Sequence, residues 1–174
     1  MTATQAAQPG GAGLVPGPDT ARAFRDALGS FATGVTVITT SSAQGDTVGI
    51  TANSFASLSL DPALVLWSPA RSSRRFALFA EAEAFTIHVL AADQIALARH
   101  FTHNTAPPEA GLGPVLARFD CARHAVHEGG DHAIVVGRVL RFHHRAGAPL
   151  IFHGGRFGAL DLTGSPLDSG YAAR

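Results

Sequence analysis

The feature that most constrains the fold is a pair of long strand-like runs in the second half of the chain, 115–127 and 132–144. Between them lies the turn Glu128-Gly129-Gly130-Asp131, whose paired glycines allow positive φ. The pattern predicts a long antiparallel hairpin, and the rest of the chain has to supply a sheet that accommodates it.

Several shorter runs predict further strands around this hairpin. The β-branched run 34–40 should pair with 47–55 across a polar turn, and 63–68 and 84–90 should each form a strand. The segment 149–160 should form one more short hairpin.

Two helices are expected from apolar residues at helical spacing. The first should end near Gly29 and cover the core as a lid through residues such as Phe24 and Leu28. The second runs over 93–101. Its inward residues should be Ile95, Ala98 and Phe101.

Strands therefore dominate, and helices are inserted among them instead of alternating with them. This order favours a mainly β architecture, an antiparallel barrel with a few capping helices, over a doubly wound parallel sheet. A length of 174 residues fits one domain. Residues 1–18 are expected to form a flexible N-terminal tail, 19–163 the folded domain and 164–174 a C-terminal tail.

The stretch 49–62 is crowded with small hydroxyl and amide residues between two apolar runs. Such residues offer neutral donors and acceptors without fixed charge, which suits a planar cofactor better than a metal ion. The alternative is a strand edge whose hydroxyls are simply solvated, closing in an Asp-Pro turn. The residues concerned are Thr51, Asn53, Ser54, Ser57 and Ser59.

A third helix is expected to begin after Ser72 and Ser73. The free N–H groups of a first helical turn, with Arg71 or Arg74 alongside, could hold a phosphate. Equally, the two serines could only cap the helix, and the residues alone leave both possibilities open.

Other chemistries are poorly supported. The nine histidines include two pairs at short spacing, 100/103 and 124/127, but no carboxylate or cysteine completes a metal site with either pair. No serine lies in a nucleophile elbow, so a hydrolase is not favoured. All 13 basic residues are Arg, which excludes Schiff-base lysines and lysine-dependent phosphate loops. The single Cys121 excludes an internal disulfide and favours the cytoplasm.

The charge balance points to a small-molecule ligand. Charged residues make up 15% of the chain and the formal net charge is +0, so no nucleic-acid partner is indicated. No apolar run is long enough for a membrane span. The low charge also leaves little polar surface, which favours a homodimer.

The turn Gly130-Asp131-His132 can project an imidazole over a neighbouring site, although an ordinary exposed histidine would look the same. Taken with four other blocks, it gives the chain a resemblance to the flavin reductase-like family, from about residue 24 to 160. The blocks, in order, are 34–39, 51–57 with 60–62, 85–90, 130–132 leading to 137, and 149–155.

The resemblance implies a Greek-key split β-barrel that binds FMN or FAD, with NADH or NADPH as hydride donor. It assigns His132 to the nicotinamide side with Asp131 as its positioner. The flavin ring and its ribityl-phosphate arm are assigned to one group of residues. These are Thr36, Thr51, Ala52, Asn53, Ser54, Phe55, Ser57, Ser72, Ser73, Arg74 and Phe157, the last standing where relatives often have Tyr.

The implied activity is the reduction of free flavin for a separate partner monooxygenase, by a homodimer. Two alternatives share the scaffold: a flavin oxidase with tightly bound FMN, and a non-catalytic flavin-binding or flavin-sensing module. The residues do not choose between the flavins or between the two nicotinamide nucleotides.

Overall fold

The computed structural model describes residues 13–160, which contain ten strands, three α-helices and a 3₁₀ turn at Pro18–Thr20. The predicted limits of the two tails fall partly outside these residues and stay predictions. The helices are α1 (Ala21–Gly29), α2 (Phe76–Glu81) and α3 (Ile95–His103). The strands are β1 (Thr33–Gly34), β2 (Thr36–Ser41), β3 (Thr47–Ala52), β4 (Ala56–Leu60), β5 (Ala63–Trp67), β6 (Ala84–Val89), β7 (Ala117–Gly129), β8 (His132–His144), β9 (Leu150–His153) and β10 (Arg156–Ala159).

The predicted long hairpin is confirmed as β7 and β8, which pair antiparallel over almost their whole length. Only Gly130 in its turn takes positive φ, at 71°, so Gly129 is not required for that reason. The hairpin lies inside a seven-stranded sheet of order β3-β2-β6-β7-β8-β5-β4. All of its strand pairs are antiparallel.

The sheet is curved around a core but does not close, since β3 and β4 are its two edges. The pairs β2–β6 and β5–β8 join strands that are distant in sequence, as a Greek-key arrangement requires. A second sheet, β1-β9-β10, contains the predicted C-terminal hairpin. The mainly β, antiparallel fold with capping helices is confirmed, and the open sheet is consistent with a split barrel.

Two apolar clusters hold these layers together. The first fills the interior of the large sheet around Ile38, Trp67, Phe79 and Phe85, with an edge-to-face contact between Trp67 and Phe79. The second packs α3 against the outside of β2 and the small sheet. There Phe101 lies against Gly49 of β3 so closely that a side chain at that position would overlap the ring.

The helix predictions are only partly right. Ala98 and Phe101 of α3 are buried as expected. The expectation that α1 covers the core is wrong, because it has no buried residue and Phe24 and Leu28 are 48% and 61% exposed. The helix after Ser72 and Ser73 begins only at Phe76 and has six residues, so these serines do not form the expected helical anion site.

Within residues 13–160, no helix combines the length and apolar character that a membrane crossing needs.

Candidate functional site

The main cavity lies where the edge of the large sheet meets α3 and the small sheet, and its volume is about 580 Å³. Thr51, Ala52 and Asn53, at the end of β3, form one wall. Phe152 and Phe157 of the small sheet are far from these residues in the sequence but line the same cavity. Their rings pack edge to face, with centroids 5.4 Å apart. The structure therefore brings together four of the sequence-predicted flavin residues, Thr51, Ala52, Asn53 and Phe157, although Phe157 lies more than about a hundred positions further along the chain than the other three.

The polar stretch 49–62 is not one continuous wall. The hydroxyl of Ser54 is occupied internally, since it donates to the carbonyl oxygen of Ser68 and accepts from the Ser68 N–H. Phe55 stacks on Phe119 with ring centroids 5.8 Å apart, and Ser57 is exposed on the edge strand β4. For the second half of the stretch, the alternative of a solvated strand edge describes the structure better.

Thr36 is another predicted flavin residue that does not line the cavity. Its side chain is almost completely buried, and its hydroxyl donates to the carbonyl oxygen of Ala52 at 2.7 Å. It therefore acts on the cavity wall indirectly, by fixing the backbone of Ala52 to β2.

Helix α3 supplies three cavity residues that the sequence did not single out: Arg99, Thr102 and His103. Their i, i+3, i+4 spacing places them on one stripe of the helix, beside the stripe that buries Ala98 and Phe101. The hydroxyl of Thr51 fixes this orientation by donating to the carbonyl oxygen of Ala98 at 2.6 Å. The helical periodicity predicted which residues of α3 face the core. It could not predict which of the remaining residues face a cavity and which face solvent.

A second cavity of about 410 Å³ adjoins the first, and Thr102 and His103 line both. Its other walls are Ser72, Ser73, Arg74, Arg75 and Thr105. The three residues predicted at the phosphate end of a flavin are thus together, in a basic cavity that shares Thr102 and His103 with the main one. They are presented by a loop, and the backbone N–H of Arg75 donates to the Ser73 hydroxyl oxygen at 3.2 Å.

Arg75, which is not among the predicted site residues, links this loop to β3 and α3. Its Nη1 donates to the carbonyl oxygens of Gly49 at 2.8 Å and Phe101 at 2.9 Å, and its Nη2 to that of Thr102 at 3.2 Å. Carbonyls at the C-terminal end of a helix carry partial negative charge. Arg75 therefore offsets the negative end of α3, which would otherwise repel an anion. Its guanidinium is already engaged, whereas Arg74 is exposed.

Asp131 and His132 line neither cavity. His132 Nδ1 lies 2.8 Å from Asp131 Oδ1, and this hydrogen bond holds the pKa of the Asp131 carboxyl below its usual value. The turn is tied to the loop that precedes Ser72: the Arg71 N–H donates to the Asp131 carbonyl oxygen at 2.8 Å, and its Nε to that of Gly130 at 3.2 Å. The turn that carries the predicted nicotinamide residues is therefore bonded to the loop beside the second cavity, but Asp131 and His132 do not line that cavity.

The two cavities fit a flavin by chemistry as well as by size. The main cavity is lined by aromatic and small side chains with a few neutral polar groups, as sites for planar rings usually are. The second offers hydroxyls and a guanidinium, the groups that bind phosphate. No carboxylate lines either cavity.

Nucleophilic and metal chemistry find no support among the described residues. Burial raises the pKa of the Cys121 thiol to about 12, so it stays protonated. Residues 13–160 contain no group of three or more His, Cys, Asp or Glu side chains arranged to hold a metal ion.

Comparisons with known proteins agree with this geometry. A family model described as the flavin reductase like domain matches residues 28–161. An FMN reductase (NADH) of Agrobacterium fabrum is 52% identical over 156 residues, covering 83% of this chain and 89% of that protein. The reductase component of the flavin-dependent trigonelline monooxygenase of Acinetobacter baylyi is 41% identical over 148 residues, covering 78% of this chain and 48% of that protein.

The chain therefore spans about half the length of the Acinetobacter relative. A solved structure gives a match over nearly the whole fold: the NADH:FAD oxidoreductase of Streptomyces globisporus, in complex with NAD and FAD fragments. It has a TM-score of 0.77 and 33% sequence identity, and the match covers 88% of this chain and 100% of that chain. By sequence, by fold and by the make-up of its cavities, the chain belongs to the flavin reductase-like family.

Proposed function

We propose that this protein is an NADH-dependent flavin reductase that reduces free FMN or FAD and supplies the reduced flavin to a separate monooxygenase. The observation that carries the proposal is the pair of adjoining cavities, one suited to a planar ring and the other to a phosphate. Relatives named as an FMN reductase (NADH), a monooxygenase reductase component and an NADH:FAD oxidoreductase support it.

The hydrogen-bonding capacity of the main cavity limits how it can hold a ring. The Thr51 hydroxyl already donates its proton to Ala98, so toward a ligand it can only accept. Asn53 is exposed at the cavity and can both donate and accept. The two side chains together can therefore pair with the alternating N–H and carbonyl groups on the polar edge of a flavin.

The flavin, bound as substrate, supplies the redox chemistry by accepting hydride from the nicotinamide. The task left to the protein is to hold two rings in contact and keep them oriented, and no side chain has to act as a general base. The apolar side chains of Ala52, Phe152 and Phe157 provide a surface against which the rings can be held in contact.

His132 is proposed to bind the nicotinamide. An ionised Asp131 only accepts hydrogen bonds, so it favours the tautomer in which His132 Nδ1 carries the proton. The other ring nitrogen, Nε2, is then an acceptor that can orient the amide N–H of nicotinamide.

Replacing His132 with Ala tests this role. We expect KM for NADH to rise much more than KM for flavin, because only the donor loses a contact. Asp131→Asn should shift KM for NADH in the same direction, since an amide can stabilise the wrong tautomer. An unchanged KM for NADH in His132→Ala would remove His132 from the site.

The protein is further proposed to act as a cytoplasmic homodimer. Large apolar side chains stay exposed on the edge strand β4 and on β8, and pairing with a second copy would cover them. The exposed fractions are 50% for Leu58, 89% for Leu60, 63% for Leu140 and 68% for Phe142.

A single comparison separates this function from that of a non-catalytic flavin-binding module. Wild-type protein is assayed for NADH consumption with and without added riboflavin, FMN and FAD, and its own flavin content is measured after purification. Rapid NADH consumption that depends on added flavin supports the reductase. A stoichiometric bound flavin that does not respond to NADH would instead identify a flavin-binding module.

A further inference from the structure

Arg99 is the guanidinium that lines the main cavity, on the stripe of α3 that also carries Thr102 and His103. Within residues 13–160, its side chain makes no hydrogen bond and no ion pair. The bond from Thr51 to the carbonyl of Ala98 holds the neighbouring residue against β3, so α3 cannot easily rotate Arg99 away. Arg99 is exposed, and its guanidinium lies at the wall of a cavity whose lining contains no other arginine and no carboxylate.

The charge of Arg99 is not needed for an oxidised flavin ring, which is neutral. Hydride transfer adds two electrons and one proton to that ring while NADH becomes NAD⁺, so the ring gains one negative charge. This charge is spread over the pyrimidine edge, the same edge that Thr51 and Asn53 can pair with. A cation beside it stabilises the reduced ring more than the oxidised one.

The flavin phosphate is the other anion that Arg99 could serve. The second cavity, however, already provides Ser72, Ser73 and the exposed Arg74 for a phosphate. Arg75 cannot substitute for Arg99, since its guanidinium is engaged by the carbonyls at the end of α3. The simplest arrangement is therefore that Arg99 serves the ring in the main cavity and Arg74 serves the phosphate in the second cavity.

We propose that Arg99 binds the pyrimidine edge of the reduced, anionic flavin and makes the protein bind reduced flavin more tightly than it otherwise would. This inference rests on the proposed function, because it requires a flavin ring in the main cavity. Its consequence is a trade-off: reduction of bound flavin becomes more favourable, while release of the product to a partner becomes slower.

The test uses the full-length protein and two ligands, riboflavin and FMN, each in the oxidised and in the dithionite-reduced state. Dissociation constants are measured by ultrafiltration under anaerobic conditions for wild type, Arg99→Gln and Arg99→Lys. Arg99→Gln should weaken binding of both reduced ligands by roughly tenfold and leave both oxidised ligands nearly unchanged. Arg99→Lys, which keeps the charge, should retain most of the affinity.

Arg74→Gln is the matched control from the second cavity. It should weaken FMN in both redox states and leave riboflavin unaffected, because only FMN has a phosphate. The proposal is overturned if Arg99→Gln gives this phosphate pattern, if it weakens oxidised and reduced ligands equally, or if His103→Gln gives the redox-dependent loss instead.

Failure of the proposed function looks different from failure of this inference. If wild type binds neither flavin and consumes no NADH with either, the reductase proposal fails and the Arg99 proposal fails with it. If wild type binds and reduces flavin but Arg99→Gln behaves like wild type toward reduced riboflavin, only the Arg99 proposal fails.

Discussion

The imidazole of His88 is 8% exposed and lies on β6 among polar side chains of the sheet. Its Nε2 is 3.0 Å from the hydroxyl oxygen of Thr39. Burial, together with a smaller effect of the Arg118 charge, lowers its pKa to about 4, although the Asp120 carboxylate opposes both effects. His88 is therefore neutral in the folded protein at physiological pH.

This burial predicts a specific pH dependence of stability. In the unfolded chain His88 has an ordinary pKa near 6.5, so between about pH 6.5 and about pH 4 the unfolded state binds more protons. The stability contributed by the neutral imidazole is complete above that range and is lost as the pH falls through it, by up to about 3 kcal/mol.

The variant His88→Gln should flatten this dependence, because the amide can still pair with Thr39 but does not titrate. Urea unfolding of wild type and variant across the range gives the difference directly. Parallel curves for the two proteins would show that His88 is not the source of the acid sensitivity.

Individual residues also show where sequence reasoning stops. Thr36, Thr51 and Ser54 look alike in the sequence, yet only Thr51 lines the cavity. All three hydroxyls donate to carbonyl oxygens, Thr36 to Ala52, Thr51 to Ala98 and Ser54 to Ser68, so it is the place of each partner in the fold that sets Thr51 apart. Composition predicts that a stretch can make hydrogen bonds, but the partners depend on backbone positions that only the folded chain defines.

At the scale of whole elements, one side chain joins α3, β3 and the loop 72–75 that lines the second cavity. Arg75 donates to the carbonyls of Gly49 on β3 and of Phe101 and Thr102 on α3, and it precedes α2 directly. Burial lowers the pKa of its guanidinium, although an arginine remains charged under all ordinary conditions.

Removing these bonds should loosen the wall between the two cavities. We expect Arg75→Gln to lower the free energy of unfolding by about 1–3 kcal/mol, because buried carbonyls lose a charged donor. Amide hydrogen exchange should speed up at the C-terminal end of α3 in particular. Arg74→Gln, at the exposed neighbouring position, should leave both quantities nearly unchanged, and equal effects of the two substitutions would contradict the proposed role of Arg75.

The helices show why periodicity predicts an element better than its surroundings. Both α1 and α3 have apolar residues at helical spacing, and both form at the expected place. Only α3 buries its apolar stripe, whereas that of α1 is open in the single chain. The pattern indicates that a helix has a face to cover, without indicating what covers it.

At the scale of the whole molecule, the candidate site depends on topology. Asn53 and Phe157 line one cavity because β9 and β10 form a separate small sheet beside α3 and the end of β3. Local patterns predicted these strands, since two short runs flank the turn at Gly154 and Gly155, where both glycines take positive φ. Their assembly into one site followed only from the resemblance to a known family.

The exposed apolar residues of β4 and β8 give a prediction about assembly. If a second copy covers them, Phe142→Glu and Leu60→Glu should each shift the protein toward a monomer in light scattering, because a buried unpaired carboxylate is costly. Ala43→Glu, in the exposed turn between β2 and β3, should not. A wild-type protein that is already monomeric would contradict the proposed dimer.

The most direct test of the proposed function is the rate of NADH consumption with added FMN, measured for wild type and for Asn53→Trp. Asn53 is exposed at the main cavity, so an indole there should fill the cavity without disturbing the core. We expect flavin-dependent NADH consumption by wild type and a loss of at least about tenfold in Asn53→Trp, with Ala43→Trp unaffected. No flavin-dependent consumption by wild type, or full activity in Asn53→Trp, would contradict a flavin reductase that works in this cavity.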